Sequence, residues 1–87
     1  MSEDLATVRA ELDAVDRHLI ALLARRAQLV ARAWDLKRDQ GLQLHDASRE
    51  SVIFARLLAQ AEADGLDSVR IRAVLERIVG VDLRRDR

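Results

Sequence analysis

Residues 2–40 read SEDLATVRAELDAVDRHLIALLARRAQLVARAWDLKRDQ, thirty-nine positions without a glycine or a proline. The stretch predicts one helix, and Gly41 is the first residue suited to ending it. Its apolar positions recur as a heptad. Leu5, Leu12, Leu19, Arg26 and Ala33 fall at position a, and Val8, Val15, Leu22, Leu29 and Leu36 at d. Arg9, Asp16, Leu23, Val30 and Lys37 fall at e, so the stripe is wider than a coiled-coil seam. Such a helix is roughly 55 Å long. The remaining chain is too short to cover it, which implies a partner. The stripe also carries the wrong chemistry in three places. Arg26 takes a leucine position, and Arg9 and Lys37 sit at the edge. Cations on an apolar seam cost free energy unless something anionic neutralises them.

The bulk composition narrows the partner. A chain of 87 residues is one domain near the lower limit for a self-sufficient core. Small chains of this kind rely on disulfides, metals or oligomerisation. Cysteine is absent, and His18 and His45 have no metal-ligand spacing, so oligomerisation is what remains. Hydrophobic residues make up 49% and charged residues 34%, with 2% aromatic and no proline, the composition of a helical bundle. A formal net charge of zero argues against a nucleic-acid module. The acidic Ser2-Glu3-Asp4 start with no apolar run behind it does not read as a signal peptide, and no run approaches membrane-spanning length. A soluble cytoplasmic protein with no membrane partner is the expectation.

Beyond the long helix, Gly41 to His45 reads as a connection. Asp46 or Ser48 caps a second helix to about Asp64, with Val52, Ile53, Phe54, Leu57, Leu58 and Ala61 inward. Gly65 suits its end. Asp67 or Ser68 caps a third, with Val69, Ile71, Val74, Leu75, Ile78 and Val79 as its apolar set and Gly80 awkwardly near its end. Residues 81–87 form a charged tail. The two later helices are each expected at about half the length of the first. The fold class is therefore all-α, a single domain over residues 1–87 with one long and two short helices. An intertwined homodimer covers the long stripe most economically, its two long helices antiparallel across a two-fold axis.

In that dimer the misplaced charges acquire a meaning. Arg9 and Lys37 lie about 42 Å apart along one helix and do not share a site within a chain. Across the two-fold axis, Arg9 of one chain approaches the region between Arg26 and Lys37 of the other. Each cation could pair with a carboxylate, Asp16, Asp46 and Glu50 being available. Three converging cations are harder to neutralise internally, and a small polyanion does it directly, with Arg suited to bidentate carboxylate binding. At the start of the second helix, Asp46, Arg49 and Glu50 make another cluster. Asp46 reads as a helix cap complementing the dipole. Glu50 lies on the apolar side, where its carboxylate needs a donor such as a ligand hydroxyl.

The ordered set Val8-Arg9-x-x-Leu12-x-x-Val15-Asp16, Leu22-Leu23-x-Arg25-Arg26-x-x-Leu29, Lys37 and Asp46-x-x-Arg49-Glu50 resembles the all-helical chorismate mutase family over about residues 5–80 without gaps. The resemblance implies an intertwined dimer of three-helix chains with two equivalent sites. It implies a Claisen rearrangement of chorismate to prephenate in aromatic amino-acid biosynthesis, with no cofactor, metal or covalent intermediate. Arg9 from the partner chain and Arg26 would bind the substrate carboxylates. Lys37 would contact a carboxylate and the ether oxygen. Asp46 and Glu50 would take the ring hydroxyl region, with Arg49 ordering that wall. Lys37, Arg26 and Glu50 are the residues expected to carry catalysis.

Two departures stand beside this match. The family closes its site from the end of the third helix with a serine and, one turn later, a glutamine or glutamate. Here those positions are Asp82 and Asp86. Asp82 would face a substrate carboxylate, which is repulsive. Three explanations follow: a weak enzyme with a disordered tail, a tail reordered by Arg84, Arg85 or Arg87 turning inward, or remodelling by a pathway-enzyme partner. Trp34 stands where small residues are usual, either at the helix 1 interface or narrowing the pocket. The same scaffold supports an isochorismate-pyruvate lyase and a 4-amino-4-deoxychorismate mutase. Asp46 with the Arg49-Glu50 pair favours a mutase over the lyase. A non-catalytic helical dimer or regulatory module is the alternative outside enzymology.

Overall fold

The computed structural model describes residues 4–85. It contains three helices and, among the described residues, no strand. Helix α1 spans Leu5–Asp39. Asp4 caps it, its Oδ1 accepting from the Ala6 N–H at 3.0 Å. The sequence offers Ser2 as a second residue able to cap this helix, and it lies outside the described residues. At 35 residues α1 is about 52 Å long. It ends as predicted at Gly41, whose φ of +70° lets the Leu42 N–H reach the Lys37 carbonyl at 2.8 Å and the Gly41 N–H that of Arg38 at 3.1 Å. That pair of bonds satisfies carbonyls the helix would otherwise leave open.

Helix α2 spans Ala47–Ala63 and is capped by Asp46, not Ser48. It ends in the same bond pair, Leu66 N–H to Ala61 and Gly65 N–H to Glu62. Helix α3, capped by Asp67, spans only Ser68–Leu75. Its eight residues correct the expected half-length of α1. After Leu75 the bonding tightens, with Arg77 N–H to Val74 and Ile78 N–H to Leu75, both at 3.0 Å. Residues 76–80 are turn, Gly80 takes a φ of +74°, and residues 81–85 carry no helix.

Packing is thin. Helix α2 lies on α3, whereas α1 makes no close backbone approach to either. Among the described residues only Ala61 and Val79 are buried apolar positions. Ile53, Phe54, Leu57 and Leu58 are half-buried as the sequence predicted. Val52, Val69 and Val74 are not inward as expected, each more than half exposed. Two short helices give each other one contact strip, and Val52 lies about 100° round the helix from Ile53, on the flank. Along α1, Leu5, Leu12, Val15, Leu19, Leu22 and Leu36 stand from 52% to 67% exposed. The principal extents are 60 × 30 × 16 Å, and the radius of gyration is 16.7 Å. A compact chain of this length has a radius near ~12 Å. No helix among the described residues is long and apolar enough to cross a membrane.

Candidate functional site

The longest run of the α1 stripe that faces the rest of the chain is its C-terminal half, and a cavity of about 250 Å³ lies there. Its walls come from four places: α1 between Arg26 and Lys37, the loop at Leu44 to Asp46, the first turns of α2, and the turn at Val79 and Gly80. Arg26 and Lys37 are eleven residues apart, three helical turns, so both sit on one face about 16 Å apart along the axis. Leu29, Val30 and Ala33 between them give the apolar floor.

Both cations are held by backbone carbonyls. The Arg26 Nη1 donates to the Ile78 carbonyl at 3.2 Å, and the Lys37 Nζ to the Leu44 carbonyl at 2.9 Å. Among the described residues no carboxylate pairs with either, so Asp16, Asp46 and Glu50 do not act as internal counter-ions for them. A guanidinium has five N–H donors and an ammonium three. Each side chain is therefore anchored by one bond with donors left for a ligand. Two polar anchors holding two cations over an apolar floor can bind a small anion bearing carboxylates.

Across the cavity stand Asp46, Arg49 and Glu50. The Asp46 Oδ1 accepts from the Arg49 N–H at 3.1 Å, the capping role its position suggested, and its other oxygen has no such duty. The Glu50 carboxylate is half-buried, and among the described residues the basic side chain nearest to it is His45, whose Nδ1 lies at 3.8 Å, beyond hydrogen-bond reach. Trp34 lines the cavity and meets the His45 ring edge-on, 5.7 Å between centroids at 66°. Trp34 thus stands on the pocket wall, one of its two expected places.

Arg9, which the sequence assigns to the partner's site, and Asp82, which stands at a departure from the family pattern, both lie outside the cavity of their own chain. Arg9 is seventeen residues from Arg26 on the same rigid helix, about 25 Å away, and does not line the cavity. Asp82 does not line it either. Arg84 closes on Asp82 with its backbone N–H at 2.9 Å, Nε at 3.0 Å and Nη2 at 2.8 Å. Those bonds hold the Asp82 carboxyl down at about 2 and raise the Arg84 guanidinium. The expected clash of Asp82 with a bound carboxylate gives way to a local pair that occupies the aspartate. Asp86 and Arg87 lie outside the described residues. Among those described, no group of three His, Cys, Asp or Glu side chains is placed to hold a metal ion.

Sequence reasoning missed His45, the wall-forming role of Gly80 and the two anchoring carbonyls. Only position offered a signal, His45 directly preceding Asp46 and Gly80 interrupting an apolar helical pattern.

The sequence is similar to those of known proteins. A T-protein of Enterobacter agglomerans is 35% identical over 79 residues, covering 91% of this chain and 21% of its own length. A T-protein of Haemophilus influenzae is 34% identical over 77 residues, 88% of this chain and 20% of its own. The chain thus spans about a fifth of those relatives. A chorismate mutase of Methanocaldococcus jannaschii is 28% identical over 67 residues, covering 77% of this chain and 68% of its own length. No solved structure matches the chain closely enough to count as a relative. The family model described as chorismate mutase type II matches residues 8–85, nearly the whole chain including both walls of the cavity, and the chain belongs to that family.

Proposed function

We propose that the protein is a chorismate mutase, an isomerase that converts chorismate to prephenate in aromatic amino-acid biosynthesis. The observation that carries this reading is the pair Arg26 and Lys37 on one wall of an apolar cavity, both without a carboxylate partner among the described residues, facing Glu50 on the other. A relative bearing the name chorismate mutase, and another from Aquifex aeolicus named bifunctional chorismate mutase/prephenate dehydratase, support it.

The chemistry asks for what this cavity offers. Chorismate is a dianion, and its rearrangement is pericyclic: the ether C–O bond breaks as a new C–C bond forms, with no proton, nucleophile or cofactor entering the step. The protein has to fold the enolpyruvyl arm over the ring and set cations against the charge that grows on the ether oxygen. In this reading Arg26 binds a substrate carboxylate, and Lys37 bridges a carboxylate and the ether oxygen. Asp46 and Glu50 receive the ring hydroxyl. Arg49 orders that wall. The same reading places the protein in the cytoplasm.

The site is completed by a second copy of the single domain, intertwined so that the partner's Arg9 enters beside Arg26. Surface area supports this. The chain exposes 7586 Å². A compact monomer of its mass exposes about 5,200 Å². The excess, with its leucines along α1, is of the order an obligate dimer interface buries. Sedimentation showing a stable folded monomer would remove Arg9 from the site. A pathway-enzyme partner fits the tail, where the helix that closes the family's site is replaced by the Asp82–Arg84 pair.

The deciding assay follows chorismate disappearance with the purified protein, with and without cell extract, and repeats it with isochorismate and 4-amino-4-deoxychorismate. Prephenate from chorismate is the expected product. Turnover of another substrate alone replaces the assignment. No turnover of any, with no rise in melting temperature on adding chorismate, points to a non-catalytic dimer.

A further inference from the structure

Gly80 sits where the turn after α3 meets the Glu50 wall of the cavity. A Cβ placed on it would overlap the Glu50 Oε1 and lie 3.1 Å from Cδ and 3.5 Å from Oε2. The other two glycines differ. At Gly41 and Gly65, with φ of +70° and +80°, an added Cβ meets nothing within 4 Å. Those two serve the backbone alone, whereas Gly80 also leaves room for a carboxylate.

We infer that Gly80 is a positioning residue for the two opposed charges of the cavity: it vacates the space in which the Glu50 carboxylate rests, and its turn frees the Ile78 carbonyl to anchor Arg26. The first half follows from how little else holds Glu50. Among the described residues its side chain has no hydrogen-bond donor, only His45 at 3.8 Å, so no bond holds its carboxylate against displacement, and a Cβ at Gly80 would push it aside. The second half follows from the break in the helix. In a continuing α-helix the Ile78 carbonyl would accept from the N–H of Asp82. With Gly80 at φ +74°, the Val81 N–H reaches it at 3.2 Å and the Arg26 Nη1 takes the remaining place at 3.2 Å. One residue without a side chain thus sets an anion on one wall and a cation on the other.

The inference rests on the mutase reading for its catalytic consequence, and the test keeps the two apart. The variants are Gly80→Ala, Glu50→Ala, the double variant, and Gly65→Ala as the control with the same backbone cost and open space. Displacing a positioned group by about 1 Å costs on the order of 10²-fold in rate, and Gly80→Ala is expected to lose that much in kcat while Gly65→Ala does not. In the Glu50→Ala background the further loss from Gly80→Ala should shrink to a fewfold, because the overlapping carboxylate is gone. An equal factor in both backgrounds assigns the loss to the turn alone and overturns the inference that Gly80 makes room for the Glu50 carboxylate. Melting temperatures of the same four variants test it without any activity. The overlapped atom ends a flexible side chain and moves at small cost, so the excess destabilisation of Gly80→Ala over Gly65→Ala should be a few degrees at most and should vanish once Glu50 is truncated. Should Gly80→Ala fail to fold, a folded double variant supports the inference and an unfolded one overturns it. A wild-type protein inactive in every assay would defeat the mutase reading and leave this thermal cycle standing.

Discussion

Replacing Lys37 with alanine isolates the charge argument. The Nζ makes one bond to the protein, to the Leu44 carbonyl at 2.9 Å. Hydrogen bonds to charged groups contribute ~1.5–3 kcal/mol. For a side chain half open to solvent the lower end or less applies, so a loss of about 1 kcal/mol is expected, a fall of roughly 4–8 °C in Tm for a domain this size. The catalytic loss should be larger. A unit charge 4 Å from a full opposite charge interacts by ~4 kcal/mol at an effective dielectric constant of 20. Loss of one preorganised donor in other enzymes costs ~2.7–4 kcal/mol, about 10²–10³ in kcat. The two estimates agree in size; the ether oxygen gains charge only in the transition state, whereas the carboxylate that Lys37 also contacts is charged throughout, so most of the loss falls on kcat and a smaller part on KM. Lys37→Ala should therefore lower kcat by about 10²–10³ with a smaller change in KM. Initial rates of chorismate loss over a range of concentrations, with a thermal melt of the same sample, measure both. A folded Lys37→Ala protein whose kcat stays within threefold of the parent would refute the reasoning.

Three further outcomes are expected. Arg9→Ala and Lys37→Ala, each inactive alone, should regain roughly a quarter of parental activity when refolded together, because half the dimers are mixed and each carries one intact site of two; no recovery in verified heterodimers would place Arg9 outside the site. Asp46→Ala should lose about 1 kcal/mol of stability with its cap while Asp46→Asn loses a few tenths, so denaturant melts separate capping from any effect of the lost charge on turnover. Asp82 should titrate near 2 by NMR and Arg84→Ala should return it toward 3.8; its folded value being depressed, the pair stabilises the tail fully above pH 3.8 and less as pH falls through about 2.

The sequence made α1 legible because nothing competed with its pattern: 35 helical residues without glycine or proline, an acidic cap at Asp4 and a stop at Gly41. Helix α3 was misread for an equally physical reason. Its apolar spacing continues through Ile78 and Val79, but tightened i→i−3 bonds after Leu75 preserve nearly the same periodicity while the helix ends. Arg26 and Lys37 stood out because an apolar stripe makes a charge conspicuous. His45 has no such frame, since a loop residue belongs to no period. The carbonyls of Leu44 and Ile78 anchor both cations, yet a carbonyl has no residue-type signature at all. Arg84 folding back on Asp82 is a two-residue side-chain choice that no periodicity encodes.

The exposed leucines of α1 and the cavity cations, which no carboxylate among the described residues pairs, are coupled in the proposed dimer. Covering Leu12, Val15, Leu19 and Leu22 with a second α1 stabilises the pair, but it also brings Arg9 toward Arg26, Lys37 and Arg49. Four cations then face the two carboxylates Asp46 and Glu50, one of them engaged in capping. Apolar burial favours assembly and the charge in the empty site opposes it. A bound dianion cancels the opposing part and leaves the apolar part intact. Ligand and second chain therefore strengthen each other's binding by the same factor, as linkage requires. Added salt should tighten the empty dimer by screening its repulsion, and should weaken chorismate binding by screening the attraction.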